Sequence, residues 1–190
     1  MKLPIVAYGD PVLKKIADDI DQNYPDLKVL INNMFETMYA ANGVGLAAPQ
    51  IGLPIRLFVV DASPFSEDEE ELNNFKKVFI NPIIKEESGE KWDFNEGCLS
   101  IPDIRENVSR HSNLKISYYD EDFNFHEDAT FGGLAARVIQ HEYDHIQGKL
   151  FTDRINPLRK TMLKGRLDAI AKGAVKVDYK MKFPLQRKKR

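Results

Sequence analysis

The sequence predicts a single α+β domain. Its 190 residues suit one domain with a substantial core. Strand-like segments occupy the middle of the chain and helical segments lie toward its ends, which favours α+β over alternating strand–helix units. Hydrophobic residues make up 43% and charged residues 29%, as in ordinary globular proteins. No apolar run approaches the roughly 18 residues that a membrane span needs.

Three segments have the pattern of amphipathic helices. The first covers about Pro25 to Ala41, where apolar side chains recur at helical spacing and Gly43 follows the end. The second runs from about Leu134 to Gln147 and stops at Gly148. The last helix covers about Pro157 to Lys172.

Four segments are predicted strands, and two loops lie between the first helix and the second strand. The strands are Ile55–Val60, Val78–Ile84, Leu114–Tyr119 and Asn124–Phe131. Pro82 interrupts the second of them and indicates an edge strand. Three glycines and a proline predict a shaped loop at 43–52. Residues 63–76 contain five consecutive carboxylates, which predict an exposed, mobile loop without chemistry.

Charge separates the chain into two parts. Residues 180–190 hold six of the 27 basic side chains and no acid, so 21 basic and 29 acidic groups remain in 1–179, a net charge of −8. We therefore expect a catalytic domain at 1–179 and a basic tail at 180–190. The whole chain carries −2, which does not favour DNA binding. The absence of a signal-peptide pattern predicts a cytoplasmic protein without membrane attachment.

A candidate metal site lies in the second predicted helix, which contains the segment HEYDH at 141–145. His141 and His145 are one turn apart on the same side, so both imidazoles can reach one metal ion. Glu142 is rotated by about 100° and can reach a water bound there, as in zinc hydrolases with two histidine ligands and a glutamate base. The motif also arises by chance on ordinary helices. Leu134 and Val138 continue the histidine stripe, however, and burying unpartnered imidazoles is costly.

The third ligand has several candidates. Asp153 and Asp168 lie downstream without supporting context, and no third histidine follows His145 at metzincin spacing. Cys98 is the lone cysteine, which by default is a small buried apolar residue. It is also a soft ligand that binds as thiolate. With the two histidines it would leave a fourth position open to water, as catalytic sites do.

Three segments in this order resemble the peptide deformylase family. They are GVGLAAPQIG at 43–52, EGCLSIP at 96–102 and HEYDH at 141–145, and they anchor about 100 residues. The resemblance implies antiparallel or mixed sheets packed around the HEYDH helix, followed by a C-terminal helix. It also implies a metallohydrolase that removes the N-formyl group from the starting methionine of newly synthesised polypeptides and releases formate.

The resemblance implies a role for each matching residue. The implied metal ligands are Cys98, His141 and His145, with Glu142 as general acid/base. The Gln50 side-chain amide and the Leu99 backbone N–H would stabilise the oxyanion. The implied substrate-binding residues are Val44, Gly45, Arg105, Leu134, Arg137 and Val138. Arg137 departs from an apolar lining and would contribute its aliphatic stem.

The resemblance also implies cofactor and partners. Fe²⁺ is the implied physiological ion, and Zn²⁺, Ni²⁺ or Co²⁺ also suit one thiolate and two imidazoles. The implied partners are N-formyl-methionyl nascent polypeptides, and the basic tail could contact ribosomal RNA or simply be solvated. Glu96 and Asp144 are either carboxylates that orient the histidines or surface ion-pair residues.

Two rival functions are open at this point. Another metallohydrolase, such as a peptidase, would keep HEYDH but would leave the two upstream motifs unexplained. A non-catalytic binding module would not need Glu142, Gln50 and Cys98 to be intact together.

Overall fold

The computed structural model describes residues 1–185 and confirms the α+β class. Strands β2 to β6 form an antiparallel sheet in sequential order, and β1 pairs with β7 in parallel. The strands are β1 Ile5–Val6, β2 Gly45–Ala47, β3 Leu57–Asp61, β4 Lys76–Cys98, β5 Ile101–Tyr119, β6 Phe125–Gly132 and β7 Met181–Lys182. The helices are α1 Leu27–Ala40, α2 Gly133–Ile146 and α3 Pro157–Ala171.

The three predicted helices are confirmed, each with bounds within two residues of those predicted. Gly148 follows α2 with a φ of +68°, a conformation that glycine adopts without steric cost. Ala135, Ala136 and Ile139 of α2 are buried in the same apolar cluster as Phe58 and Phe79 of the sheet. The two alanines let the helix backbone approach the sheet closely, so α2 is the central helix of the domain.

The strand at Val78–Ile84 is not an edge strand, and that prediction was wrong. It belongs to β4, which pairs with β3 on one side and β5 on the other. Pro82 is tolerated because the β4–β5 register shifts between Ile80 and Ile83. Asn81 has a φ of +48° at this bulge, and its side chain bonds the Ile20 backbone. A bulge leaves one residue out of the ladder, so the missing N–H of proline costs no hydrogen bond.

The segment 43–52 is more regular than the predicted loop. Gly45, Leu46 and Ala47 form β2 opposite Val60, Val59 and Phe58. Residues Ala48–Ile51 then form a 3₁₀ turn. Glycine and proline content indicated irregular backbone, but the neighbouring β3 supplies ladder partners that a local pattern does not reveal.

The C-terminal chain after α3 contains a strand that was not predicted, because basic residues dominate the composition of this segment. From Val175 to Phe183, half-buried apolar side chains alternate with exposed polar ones. Ile5 N–H donates to the Lys180 carbonyl at 2.8 Å and Ala7 N–H to the Lys182 carbonyl at 2.9 Å. Residues 180–182 therefore pair with the body although they fall in the predicted tail. Residues 186–190 of that tail lie outside the described part of the chain. None of the helices within 1–185 is long and apolar enough to cross a membrane.

The acidic segment 63–76 is only partly the exposed loop that was predicted. It contains two 3₁₀ turns, Ser63–Phe65 and Glu70–Leu72, and Leu72 is buried. Phe65 packs against the main apolar cluster. The apolar residues within the segment thus anchor it, while most of its carboxylates face solvent.

Candidate metal centre

Cys98, His141 and His145 converge at one point, as predicted. Their donor atoms all lie within 4.8 Å of one another, and Cys98 Sγ is 3.4 Å from His145 Nε2. Bonds of about 2.0–2.3 Å at tetrahedral angles place neighbouring ligands roughly 3.5 Å apart, so this separation suits one ion. The cysteine ends β4 and the histidines lie on α2, so packing of α2 on the sheet assembles the donor set.

The electrostatic surroundings of the three donors also fit a cation. Glu142 is 4% exposed, and its Oε2 has no hydrogen-bond partner among the described residues. A buried carboxylate oxygen without a partner is costly. A water held by a metal at the three donors would satisfy it. The residues present therefore fit a divalent metal with one open position.

Glu96 orients one of the histidines. His141 Nδ1 lies 2.9 Å from Glu96 Oε2, which leaves His141 Nε2 for a metal. Burial alone would raise the pKa of Glu96, but the hydrogen bonds from Arg110 and His141 outweigh it and hold that pKa well below its usual range. A carboxylate that accepts from the second nitrogen of a ligand histidine fixes its tautomer and its orientation. Of the two readings of Glu96, the structure supports the orienting one.

Arg110 connects this carboxylate to Asp144. Its guanidinium donates to both oxygens of Glu96, at 2.7 and 2.9 Å, and to Asp144 Oδ2 at 2.7 Å. Arg154 donates to the other oxygen of Asp144. Arg110, Glu96 and Asp144 are all at least 96% buried. Asp144 therefore lies in a buried ion-pair network rather than at the surface or against a histidine ring.

Gly45 leaves the space that Glu142 needs. A Cβ built at position 45 would overlap the Glu142 carboxylate, so any larger residue at this position would displace it. Burial raises the pKa of Glu142 to about 7, and the His141 charge opposes that shift. The carboxylate is thus held at the cavity wall beside the donor set.

Gln50 and Leu99 lie next to the cysteine. Gln50 is 2% exposed, and its Oε1 accepts from the Ala47 N–H at 2.8 Å. This bond turns the Nε2 donor toward Cys98 Sγ, at 3.5 Å, and toward Ser100 Oγ, at 3.4 Å. Leu99 occupies the turn between β4 and β5. Both predicted oxyanion donors line the same cavity as Cys98.

A cavity of about 660 Å³ leads to the donor set. Five of the six predicted substrate-binding residues line it, namely Val44, Gly45, Arg105, Arg137 and Val138. Arg105 is exposed at the rim and bonds Asn95. The buried Arg137 guanidinium donates hydrogen bonds to Glu96 and to the Val108 carbonyl. These bonds explain how an arginine fits this wall.

Leu134 is not placed at the cavity, unlike the other five. It is buried in the main apolar cluster near the start of α2, and its N–H donates to Glu69. Leu134 lies on the same face of α2 as Val138, but it is one turn, about 5.4 Å, farther from the two histidines along the helix axis. Leu134 therefore differs from the other five predicted substrate-binding residues, because it does not line the cavity.

Several lining residues were not predicted from the sequence. Phe65 of the acidic segment and Phe94 of β4 add aromatic wall, and the chain from Lys176 to Tyr179 crosses the rim. The alternation after α3 was an available signal for the last of these. Nothing local distinguished Phe65 or Arg110 from other residues of their types.

Glu69 binds the N-terminus of the helix that carries both histidines. Its two oxygens accept from the Leu134 N–H at 3.0 and 3.1 Å. A negative charge at this position satisfies an unpaired helix donor and interacts favourably with the helix dipole. The acidic segment, predicted to be an exposed loop without chemistry, therefore stabilises α2.

Replacing this carboxylate should lower stability. We expect Glu69→Gln to cost about 0.5–1 kcal/mol, which lowers Tm by roughly 1–4 °C in a chain of this size. Differential scanning calorimetry at low and high salt would measure the effect. Glu67→Gln, an exposed change in the same acidic run, is the matched control. Equal effects of the two changes would contradict the capping role of Glu69.

Fold and site together define a class of protein. One helix presents two histidines and a glutamate, a strand end adds a thiol, and a cavity opens onto the set, as in a metal-dependent hydrolase. The chain belongs to the polypeptide deformylase family, whose model matches residues 2–161.

Relatives and solved structures agree with this assignment. The chain is 57% identical to the peptide deformylase of Christiangramia forsetii and 54% identical to that of Flavobacterium johnsoniae, each over 100% of both chains. The crystal structure of a peptide deformylase from Legionella pneumophila aligns with a TM-score of 0.77 at 40% identity, covering 88% of this chain and 94% of that one. That of Thermotoga maritima aligns with a TM-score of 0.73 at 40% identity, covering 83% and 99%.

Proposed function

We propose that this chain is a metal-dependent hydrolase that removes the N-formyl group from the N-terminal methionine of newly synthesised polypeptides and releases formate. The observation that carries the proposal is the convergence of Cys98, His141 and His145 beside Glu142 at a cavity of about 660 Å³. Family membership and full-length identity to peptide deformylases support it.

Each group near the cysteine would have its own part in the reaction. Cys98, His141 and His145 would hold a divalent metal, which would supply Lewis-acid activation and lower the pKa of a water in the open position. Glu142 would accept the proton of the attacking water and return it to the leaving amine. The Gln50 amide and the Leu99 N–H would donate to the oxygen of the formyl group as negative charge develops on it.

The cavity wall would select the first residue and the acyl group. Val44, Val138, Phe65 and Phe94 provide apolar and aromatic surface suited to an unbranched methionine side chain. Gly45 lies directly against Glu142, which leaves little room there. A formyl carbon carries only hydrogen, so we propose that acetyl groups are excluded by this close approach.

An assay on matched peptides tests the proposed function. Purified protein is expected to release formate from formyl-Met peptides and to leave acetyl-Met and unformylated peptides intact. Cleavage of internal peptide bonds would favour a peptidase instead. Metal binding without turnover of any of these peptides would favour a binding module.

We propose Fe²⁺ as the physiological ion, with zinc, nickel or cobalt as replacements. One thiolate and two imidazoles form a donor set that accepts each of these metals. Metal analysis of protein purified without oxygen, combined with the deformylation assay on the same sample, tests this choice. Zinc in a fully active anaerobic sample would contradict it.

We further propose that the enzyme acts in the cytoplasm and contacts ribosomes through its basic C-terminus. The support is the cluster of four basic residues at 187–190, beyond the paired chain. Because residues 180–182 pair with β1, the truncation should begin at residue 186 rather than 180. We expect co-sedimentation with ribosomes to weaken on removal of 186–190 and on raising salt. Unchanged, salt-independent sedimentation would contradict the contact.

A further inference from the structure

The turn at 98–101 is held from outside the sheet by both ends of the chain. It carries Cys98 and the Leu99 N–H. The Tyr179 hydroxyl donates to the Leu99 carbonyl at 2.8 Å. The Tyr8 N–H donates to the next carbonyl, that of Ser100, also at 2.8 Å. Two successive peptide units of the turn are therefore fixed by groups that are remote in sequence.

The segment that carries Tyr179 is itself anchored before and after the residues that line the cavity. Val175 packs against one apolar cluster after α3, and Met181 lies between two such clusters. β7 then pairs with β1, the strand that precedes Tyr8. Residues 176 to 179 line the cavity between these anchors. This segment lies beyond residues 2–161, the part of the chain that the family model matches.

Leu99 has little freedom to reorient against these contacts. Its side chain packs against the same apolar cluster as Tyr179. On the other side it abuts Gly43, where an added Cβ would lie only 2.8 Å from Leu99 Cδ1. A backbone amide has no rotamers of its own, so the direction of its N–H follows the dihedrals of the turn. The hydrogen bond from Tyr179 fixes the orientation of the Leu99 carbonyl, and the dihedral angles of Leu99 relate this carbonyl to the Leu99 N–H.

We propose that Tyr179 is a positioning residue for deformylation, acting through the turn to aim the Leu99 N–H at the developing oxyanion. The proposal rests on the proposed function above. Oxyanion donors contribute most when they are oriented before the reaction begins. A bond that orients the donor without touching substrate should therefore affect the transition state more than substrate binding.

Removal of the single hydroxyl tests the proposal. The net value of one neutral hydrogen bond corresponds to about a 3- to 10-fold change in rate, so we expect kcat of Tyr179→Phe to fall by that factor. KM for a formyl-Met peptide should stay within about twofold, because a transition-state interaction lowers kcat and kcat/KM together. Steady-state kinetics at a temperature where circular dichroism finds both proteins folded would measure this.

Two further variants separate positioning from packing. Tyr24→Phe removes a hydroxyl that has no hydrogen-bond partner among the described residues, and it should keep wild-type kcat. Tyr179→Leu removes the ring as well as the hydroxyl. If Tyr179→Phe retained wild-type kcat while Tyr179→Leu lost it, ring packing alone would matter and the proposal would fall.

Other outcomes are equally decisive. A rise in KM at constant kcat would make Tyr179 only part of the cavity wall, and the positioning role would be wrong. Wild-type protein that fails to deformylate any formyl-Met peptide would overturn the proposed function itself. A wild-type enzyme that is active beside an equally active Tyr179→Phe would leave the function standing and overturn only this inference.

Discussion

Glu142→Ala should lose nearly all deformylation while retaining its metal. The carboxylate is buried beside the donor set without being part of it, so its removal leaves Cys98, His141 and His145 in place. General acid–base catalysis typically contributes about 10²- to 10⁴-fold, and we expect kcat to fall within that range. Formate release and metal content per chain should be measured on the same preparation.

Glu142→Gln sharpens this test because it preserves the volume of the side chain. It removes the proton acceptor without opening a cavity, and we expect the same loss of kcat. Glu127→Gln, an exposed change on β6, is the matched control and should keep full activity. Wild-type kcat in Glu142→Gln would remove this residue from the mechanism. Loss of the metal together with activity would assign it a different role.

Arg110→Ala should produce the largest loss of stability. The change would leave Glu96 and Asp144 buried without their shared partner. Breaking a buried ion pair by removing one member typically costs about 3–5 kcal/mol. That is a large part of the roughly 5–15 kcal/mol that stabilises a domain. Tm should fall by roughly 6–20 °C at this chain length.

The same change should weaken the metal site, because Glu96 would lose one of the two guanidinium groups that hold it beside His141. Loss of such supporting contacts typically lowers metal affinity about 10- to 100-fold. Urea unfolding and a chelator competition would measure the two effects. Arg159→Ala removes an exposed arginine that bonds both oxygens of Glu106 and should change little. Equal unfolding midpoints for the two variants would contradict the role of the Arg110 network.

The acidic segment and the C-terminal chain illustrate where local patterns mislead. A run of carboxylates predicts solvent exposure, and most of 67–71 is exposed. Glu69 differs only because the start of α2 lies beside it and offers an unpaired N–H. Basic residues between 180 and 190 similarly obscured the alternating apolar positions that make β7. In both cases the charge composition was correct, but pairing with a neighbouring element gave the segment a structural role. Glu69 binds the start of α2, and residues 181–182 pair with β1.

The sequence by itself determined the helices, the approximate strands and the three side chains of the candidate metal site. Helical periodicity is local, and a histidine pair one turn apart is fixed by helix geometry alone. Only the tertiary structure decided that β4 is central, that Arg110 joins Glu96 to Asp144, and that Tyr179 reaches the Leu99 carbonyl. These contacts join residues from 14 to 80 positions apart. Long-range pairing depends on which surfaces meet when the sheet closes on α2, and no local pattern encodes that choice.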